Sequence, residues 1–424
     1  MGVLVCSAAT LAGAQEAGGS AGGGAAPGAG GGEVNSANGV GDGIEANPYS
    51  ISISETLLSD SNVQRAPDGL AQSDRISSTS VRLGLDQWLG RQHLKADGNL
   101  VLQRFQDHAE FNNSSPSLRV QLDWSTAERW QGELGARHQQ TLYRDFRGET
   151  QDGSEQLLKN LERIDEGFFR ARLGMVTAWT LESAFDAFQR RYSAATFANS
   201  ELDRHATELG VRYQPHPDFS LRTLLRYTNG RYPHGEADGE PDEYDRRDLE
   251  AAVQLSPTGA SSLDLRVARS NEHHHQAGSQ RKHLWSGSLG WKWQPTGKLN
   301  FETRLVRDSD TGNQPLSDGL ASRDAQLGTE LSVSSRWQAS EKLQFSLTYQ
   351  QSLRDLQRAE GTPEALSGND RLRRFTLGVD WQPWRSVGLG CQGTQERRRT
   401  SGSPELTTPY GAAVVACYGR FVWQ

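Results

Sequence analysis

From Leu118 to Gln139 the chain alternates apolar and polar residues with a period of two. Leu118, Val120, Leu122 and Trp124 share one face, and Arg119, Gln121 and Asp123 the other. Thr126 to Arg129 interrupt the alternation with polar residues, after which Trp130, Gly132, Leu134 and Ala136 oppose Gln131, Glu133 and Arg137. A period of two puts successive side chains on opposite faces of an extended chain, so this stretch predicts strand, tight turn, strand.

The same unit recurs to the end of the chain. Around that hairpin the alternation predicts strands over Tyr49 to Asp60, Ile76 to Leu89, His93 to Phe105, Gly167 to Ala178, Leu181 to Tyr192, Arg204 to Gln214 and Phe219 to Tyr227. It continues over Tyr244 to Ser256, Ser262 to Glu272, Leu284 to Gln294, Leu299 to Asp308, Ala325 to Trp337, Leu343 to Leu356, Arg373 to Gln382, Ser386 to Gln395 and Tyr410 to Trp423, which makes eighteen strands in all. One short helix is expected in the acidic connection, from Leu157, Leu158 and Leu161. Connections alternate between short turns and longer polar loops, as an even-stranded barrel with both chain ends in the periplasm requires. All fifteen prolines are expected outside the strands, because proline cannot donate to a β-ladder. Nine of the eleven tryptophans (Trp88, Trp124, Trp130, Trp179, Trp293, Trp337, Trp381, Trp384 and Trp423) fall at the short-turn ends or the C-terminus. That placement is expected of an interfacial aromatic girdle and has no counterpart in a soluble sandwich.

Composition narrows the fold further. Only 35% of the 424 residues are hydrophobic and the mean hydropathy is -0.68, too polar to fill a core for so long a chain. A transmembrane antiparallel up-and-down β-barrel of 16 to 18 strands resolves this, since its lumen face is polar and only alternate residues meet lipid. The fold expected is therefore all-β, in a bacterial outer membrane, with lipid and the barrel-assembly machinery as partners. A formal charge of -7 and a pI near 5.9 give no support to nucleic-acid binding.

Three segments are expected. Residues 1–14 read as a signal peptide, incomplete because no basic region precedes its apolar stretch, with Ala12-Gly13-Ala14 as cleavage site. Residues 15–47 are a Gly/Ala-rich disordered periplasmic leader, and 48–424 the barrel.

Charge on the lipid face costs about 2 to 4 kcal/mol for Arg near mid-membrane, so the charged face of each strand must line the lumen. The lumen-lining set is Arg119, Gln121, Glu133, Arg137, Arg170, Arg172, Arg222, Arg226, Arg266, Glu302 and Arg304. Such a wall can guide an anionic or hydroxyl-rich solute, or its charges can pair across strands and hold the wall together. His273-His274-His275 with His283 lacks the interleaved spacing of a metal site and reads as a polar loop tip, so no metal or cofactor is expected. The carboxylates Asp242-Glu243 with Asp245, and Glu182 with Asp186, come with no nucleophile, so no enzymatic site is expected. Cys391 and Cys417 lie at matching heights on the last two strands, with Cys391 in the parity of Val387 and Leu389. In an oxidising periplasm they are expected to join as a cross-strand disulfide, against the alternative of two free thiols.

From Pro48 onward the chain resembles the EpsL-type outer-membrane proteins encoded with exopolysaccharide operons. The resemblance rests on Asn47-Pro48-Tyr49, Asp60-Ser61-Asn62-Val63, Val120-Gln121-Leu122-Asp123-Trp124, Thr223 to Tyr232, Tyr244-Asp245-Arg246-Arg247-Asp248 and the two late cysteines. The chain departs from it in the incomplete signal peptide and the ending Phe421-Val422-Trp423-Gln424. The resemblance implies export of a polysaccharide across the outer membrane, with periplasmic and inner-membrane exopolysaccharide synthesis proteins as partners. Alternatives from the residues alone are a general or solute-selective porin, or a plugged surface-binding or structural barrel.

Overall fold

The computed structural model describes residues 48–126, 129–143, 147–149, 155–174, 177–234, 241–275, 281–309, 325–358, 366–403 and 407–423. The expected signal peptide and leader, and residues 127–128 of the opening turn, lie outside these.

Among the described residues twenty strands follow one another: β1 (Tyr49–Asp60), β2 (Asp74–Leu89), β3 (Gln92–Phe105), β4 (Asn113–Ser125), β5 (Trp130–Tyr143), β6 (Arg147–Glu149), β7 (Glu155–Leu157), β8 (Asn160–Leu173), β9 (Trp179–Tyr192) and β10 (Leu202–His216). The second half holds β11 (Phe219–Tyr232), β12 (Asp242–Thr258), β13 (Ser261–His274), β14 (Lys282–Thr296), β15 (Leu299–Asp308), β16 (Ala325–Ser340), β17 (Leu343–Arg358), β18 (Leu366–Trp384), β19 (Val387–Gly402) and β20 (Tyr410–Trp423). Strands β6 and β7 form a separate small hairpin. The other eighteen pair antiparallel with their chain neighbours, and β1 pairs with β20. The expected barrel is therefore a closed, eighteen-stranded one, and closure leaves no strand edge unpaired in lipid. Among the described residues no helix is long and apolar enough to cross a membrane.

Alternate residues sort onto the two faces as the period of two requires. Leu134, Phe169, Phe185, Leu209, Leu225 and Leu249 stand exposed on the outer face, a continuous apolar band for lipid. Trp130, Trp179, Trp293, Trp337, Trp381 and Trp423 are exposed near the rim of short turns, which is the periplasmic rim of such barrels. Trp88 departs from the expected girdle. It shares parity with Asp86 rather than with the exposed Val81 and Leu83, and its ring stacks on the lumen-facing His93 at 4.0 Å.

Three further expectations are corrected. Leu157 ends β7 and Leu161 belongs to β8, so the short helix is absent and β8 begins seven residues earlier than Gly167. Five prolines lie within strands: Pro116, Pro215, Pro257, Pro295 and Pro383. The last four share a device, since each sits in a register shift next to a short turn. The residue before each proline (Gln214, Ser256, Gln294 and Gln382) donates its N–H to a carbonyl in the neighbouring turn, at 2.7 to 2.8 Å. A bulge removes one residue from the ladder, so proline's missing donor costs nothing there. Finally, His273 and His274 close β13 rather than forming a loop tip.

Candidate functional site

On each strand the eleven residues expected at the lumen alternate with the exposed apolar residues of the outer band, and most are ion-paired. The row of pairs follows from register. Glu133 lies opposite Arg170 across β5 and β8 and takes Arg170 and Arg172, each at 3.4 Å. Arg222 reaches Glu182 at 2.6 Å and Glu208 at 3.5 Å; Arg226 reaches Asp186 at 3.4 Å and also pairs with Glu208. Arg266 holds Glu250 at 2.6 Å and Asp308 at 3.9 Å. Glu302 and Arg304 face the lumen from β15, with Glu302 opposite Lys292.

These pairs brace the wall, because each guanidinium spans neighbouring strands and each carboxylate accepts from it in a partly dry setting. The expected set held these arginines but, of their carboxylate partners, only Glu133. Glu208, Arg212 and Glu250 become visible only once register places them beside Arg222, Arg226 and Arg266. The carboxylates considered for catalysis are held in the same way: Glu182 between Arg212 (2.8 Å) and Arg222, and Asp186 between Arg170 (3.7 Å) and Arg226.

One patch of the wall is different. Arg119 and Arg137 are direct register partners on β4 and β5, with Asp97 opposite Arg119 and Glu166 opposite Arg137. Arg119 is exposed to the lumen and donates to Gln121 at 3.0 Å; Arg137 stands 3.8 Å from Glu166. Beside them two lumen-facing aromatics, Phe168 and Phe188, carry Arg170 and Arg204 over their rings at 4.6 and 4.7 Å. Phe168 lies across Gly135, where a side chain would overlap the ring. The opposite wall, β16 to β19, adds hydroxyls and amides to its paired charges, including Ser332, Ser334, Ser346, Thr348, Gln350, Thr376 and Thr394.

The extracellular half of the lumen is narrowed by chain segments folded inward. Val63 from the β1–β2 connection and Phe111 from a single 3-10 turn (Ala109–Phe111) pack with inward Leu58, Ile76, Phe105, Val414 and Ala416, and with Leu142 at the end of β5. Arg65 pins the first segment: its Nη1 donates to the Asp60 carboxylate at 2.8 Å and its Nε to Glu396 of β19 at 2.9 Å. Its left-handed backbone, φ 54°, is unusual for a non-glycine residue and is tolerated where such contacts fix it. The second segment is held by Asp74, which accepts the N–H groups of Gln106, Asp107 and His108 at 3.0 to 3.1 Å. Across the lumen, Arg246 is 1% exposed, with Asp248 at 2.9 Å and Glu272 and Asp308 beyond.

Cys391 and Cys417 are register partners joined by a disulfide, Cα atoms 4.0 Å apart, on the lipid face. The histidine run divides between the faces: His274 turns inward to Asp242 and Glu272, while His275 meets Asp245 at 2.9 Å. Among the described residues no group of three or more His, Cys, Asp or Glu could hold a metal ion.

No protein-family model and no curated relative matches the chain. Among solved structures, the chain is similar to Pseudomonas aeruginosa OccK2 (OpdF) in complex with glucuronate, at a TM-score of 0.50 and 12% identity, covering 89% of this chain and 98% of that one. It is also similar to Acinetobacter baumannii OccAB3 (TM-score 0.47, 12% identity, 88% and 98% covered) and to P. aeruginosa OpdO (0.46, 14%, 88% and 96%). The OccK2 likeness carries the fold alone, a closed eighteen-stranded barrel. The expected membership of the EpsL-type family is corrected: no family model matches the chain, and the solved barrel it resembles at a TM-score of 0.50 is OccK2. The polysaccharide-export reading drawn from that resemblance falls with it.

Proposed function

We propose that this barrel is a solute-selective porin, a non-enzymatic channel that passes small carboxylated, hydroxyl-bearing solutes. The observation that carries the reading is the Arg119–Arg137 register pair on the lumen wall, flanked by Arg170 on Phe168 and Arg204 on Phe188. Planar guanidiniums offer a carboxylate two parallel donors, and an aromatic face offers a sugar ring or apolar body a surface to slide on. The hydroxyl and amide wall of β16 to β19 supplies weak, exchangeable hydrogen bonds opposite. Passage needs binding strong enough to recruit and weak enough to release, which many single contacts provide better than one deep site. The inward segments around Val63 and Phe111 narrow the path, so solutes must pass close to the wall. The solved OccK2 barrel is itself in complex with glucuronate, a hydroxyl-rich carboxylate of the chemistry this wall suits.

Liposome swelling tests this directly. Wild-type barrel admits glucuronate faster than glucose, and Arg119→Gln with Arg137→Gln lowers that ratio several-fold while glucose entry holds. An unchanged ratio removes the arginine pair as the selective element, and the absence of both swelling and bilayer conductance removes the porin reading.

A further inference from the structure

We infer that the outer face of β16 to β20 binds a phosphorylated glycolipid of the outer leaflet, its acyl chain in an apolar trough and its phosphates on four arginines. The site is on the lipid side of the wall and is independent of what the lumen carries.

Two arginine runs cross this region, Arg371-Leu372-Arg373-Arg374 on β18 and Arg397-Arg398-Arg399 on β19. Their inward members are neutralised: Arg374 donates to Glu396 at 2.8 Å, and Arg398 stands 3.7 Å from Asp370 and over the Tyr410 ring. Their outward members Arg371, Arg373, Arg397 and Arg399 are all exposed. Register sets Arg373 opposite Arg397 and Arg371 opposite Arg399, so like charges face each other twice, an arrangement that weakens a sheet.

Among the described residues none of the four forms an ion pair with a carboxylate; Arg373 donates only to the Gln351 amide, at 3.1 Å. Asp355, on the same face of β17, stands opposite Asn369 rather than an arginine. Elsewhere on the same rim the outward arginines do find carboxylates, as in Arg163–Asp165 (2.9 Å), Arg191–Asp203 (2.6 Å) and Arg231–Glu243 (3.7 Å). Among the described residues the β18–β19 cluster is thus a concentrated positive patch without a carboxylate partner, at the edge of the lipid band.

Below it lies a trough of 480 Å³ on the outer face, lined by Trp337, Phe345, Leu347, Leu377 and Val415. Gly393 leaves its floor open, since a Cβ there would meet nothing within 4 Å. Gly393 pairs with Leu377, two rows beneath the Arg373–Arg397 pair, so trough and patch are continuous along the strands. Guanidiniums clamp phosphate bidentately, and the trough buries methylenes. An ion in solution gains nothing from the trough, and an apolar chain alone gains nothing from the arginines. Only an amphiphile with a phosphorylated head uses both. The patch lies at the long-loop rim, which selects the outer leaflet, where that head sits on a sugar.

Native mass spectrometry of the detergent-solubilised barrel, titrated with bisphosphorylated lipid A, provides the test. The wild type retains one lipid A, and a dephosphorylated lipid A does not compete. Arg373→Gln with Arg397→Gln weakens retention at least tenfold, and Gly393→Leu, which fills the trough without changing a charge, weakens it several-fold. Arg104→Gln, an outward arginine on β3, leaves it unchanged. Heat-modifiable gel mobility reports that each variant is folded. Retention that is equal in all variants, or lost equally in Arg104→Gln, overturns the site. Displacement by inorganic pyrophosphate as effective as by lipid overturns the lipid and leaves an ion patch.

Discussion

The sharpest prediction concerns His274. It ends β13 above the row where outward Arg269 and Trp285 close the lipid band, so it lies outside the membrane span. Its Nδ1 is 2.9 Å from Asp242 and its Nε2 3.1 Å from Glu272. A neutral imidazole has one N–H and can donate to only one of these carboxylates; the imidazolium donates to both. Burial works against the charged ring, but the two hydrogen-bonded carboxylates outweigh it and raise the pKa from 6.5 to about 9. Around it also stand the Tyr244 ring, 5.4 Å away, and Arg246, which shares Glu272 at 3.8 Å.

That gap is worth at most about 3.4 kcal/mol at 1.36 kcal/mol per unit, and about 2 kcal/mol after screening by the water that still reaches the ring. The folded pKa exceeds the unfolded one, so the stabilisation is complete below about pH 6.5 and is lost as pH rises through about 9. Urea unfolding of the micelle-embedded barrel, followed by tryptophan fluorescence at pH 6, 7.5 and 9.5, reads this out. The wild type loses about 2 kcal/mol across the range; His274→Gln starts lower by that amount at pH 6 and is flatter. Equal pH slopes in the two proteins would refute the assignment of the charge to His274.

Two further outcomes follow from buried charge and from the cross-link. Arg246→Met leaves Asp248, Glu272 and Asp308 facing one another without a guanidinium at their centre, and is expected to cost about 3 to 5 kcal/mol in the same urea assay; a cost below 1 kcal/mol would mean the carboxylates are compensated elsewhere. Cys391→Ser with Cys417→Ser opens a loop closed over 26 residues, which chain entropy values at about 3.5 kcal/mol. Reduction of the wild type should lower its urea midpoint to that of the double variant, and no shift in either would assign the closure of the barrel to strand pairing alone.

The parts of this molecule that sequence shows are those a short window decides. Alternation between Leu118 and Gln139 is local, and the hairpin β4–β5 appears with Arg119 opposite Arg137 as a two-strand register demands. Trp88 was equally decidable, because Val81 and Leu83 mark the outer face and Trp88 has the other parity; height along the strand placed it in the girdle, and parity takes it out. The prolines are less local. Pro215, Pro257, Pro295 and Pro383 are acceptable because a bulge exists, and a bulge is a property of two strands. Least legible are the inward segments, since Arg65 is held by Glu396, 331 residues away, and no window contains both.

The same reasoning explains why the EpsL-type resemblance misled. A stretch such as Val120-Gln121-Leu122-Asp123-Trp124 is what any barrel strand must carry where an apolar lipid face, a polar lumen face and a girdle aromatic meet. Strings of that kind are dictated by the two solvents on either side of the wall, so they recur in barrels of unrelated purpose. What distinguishes one barrel from another is held in positions the alternation leaves open: which polar residue stands opposite which across the lumen, and which charge the outer face leaves uncompensated. Here those positions are the Arg119–Arg137 pair inside and the Arg371, Arg373, Arg397 and Arg399 cluster outside. Both emerge only when strands are set in register.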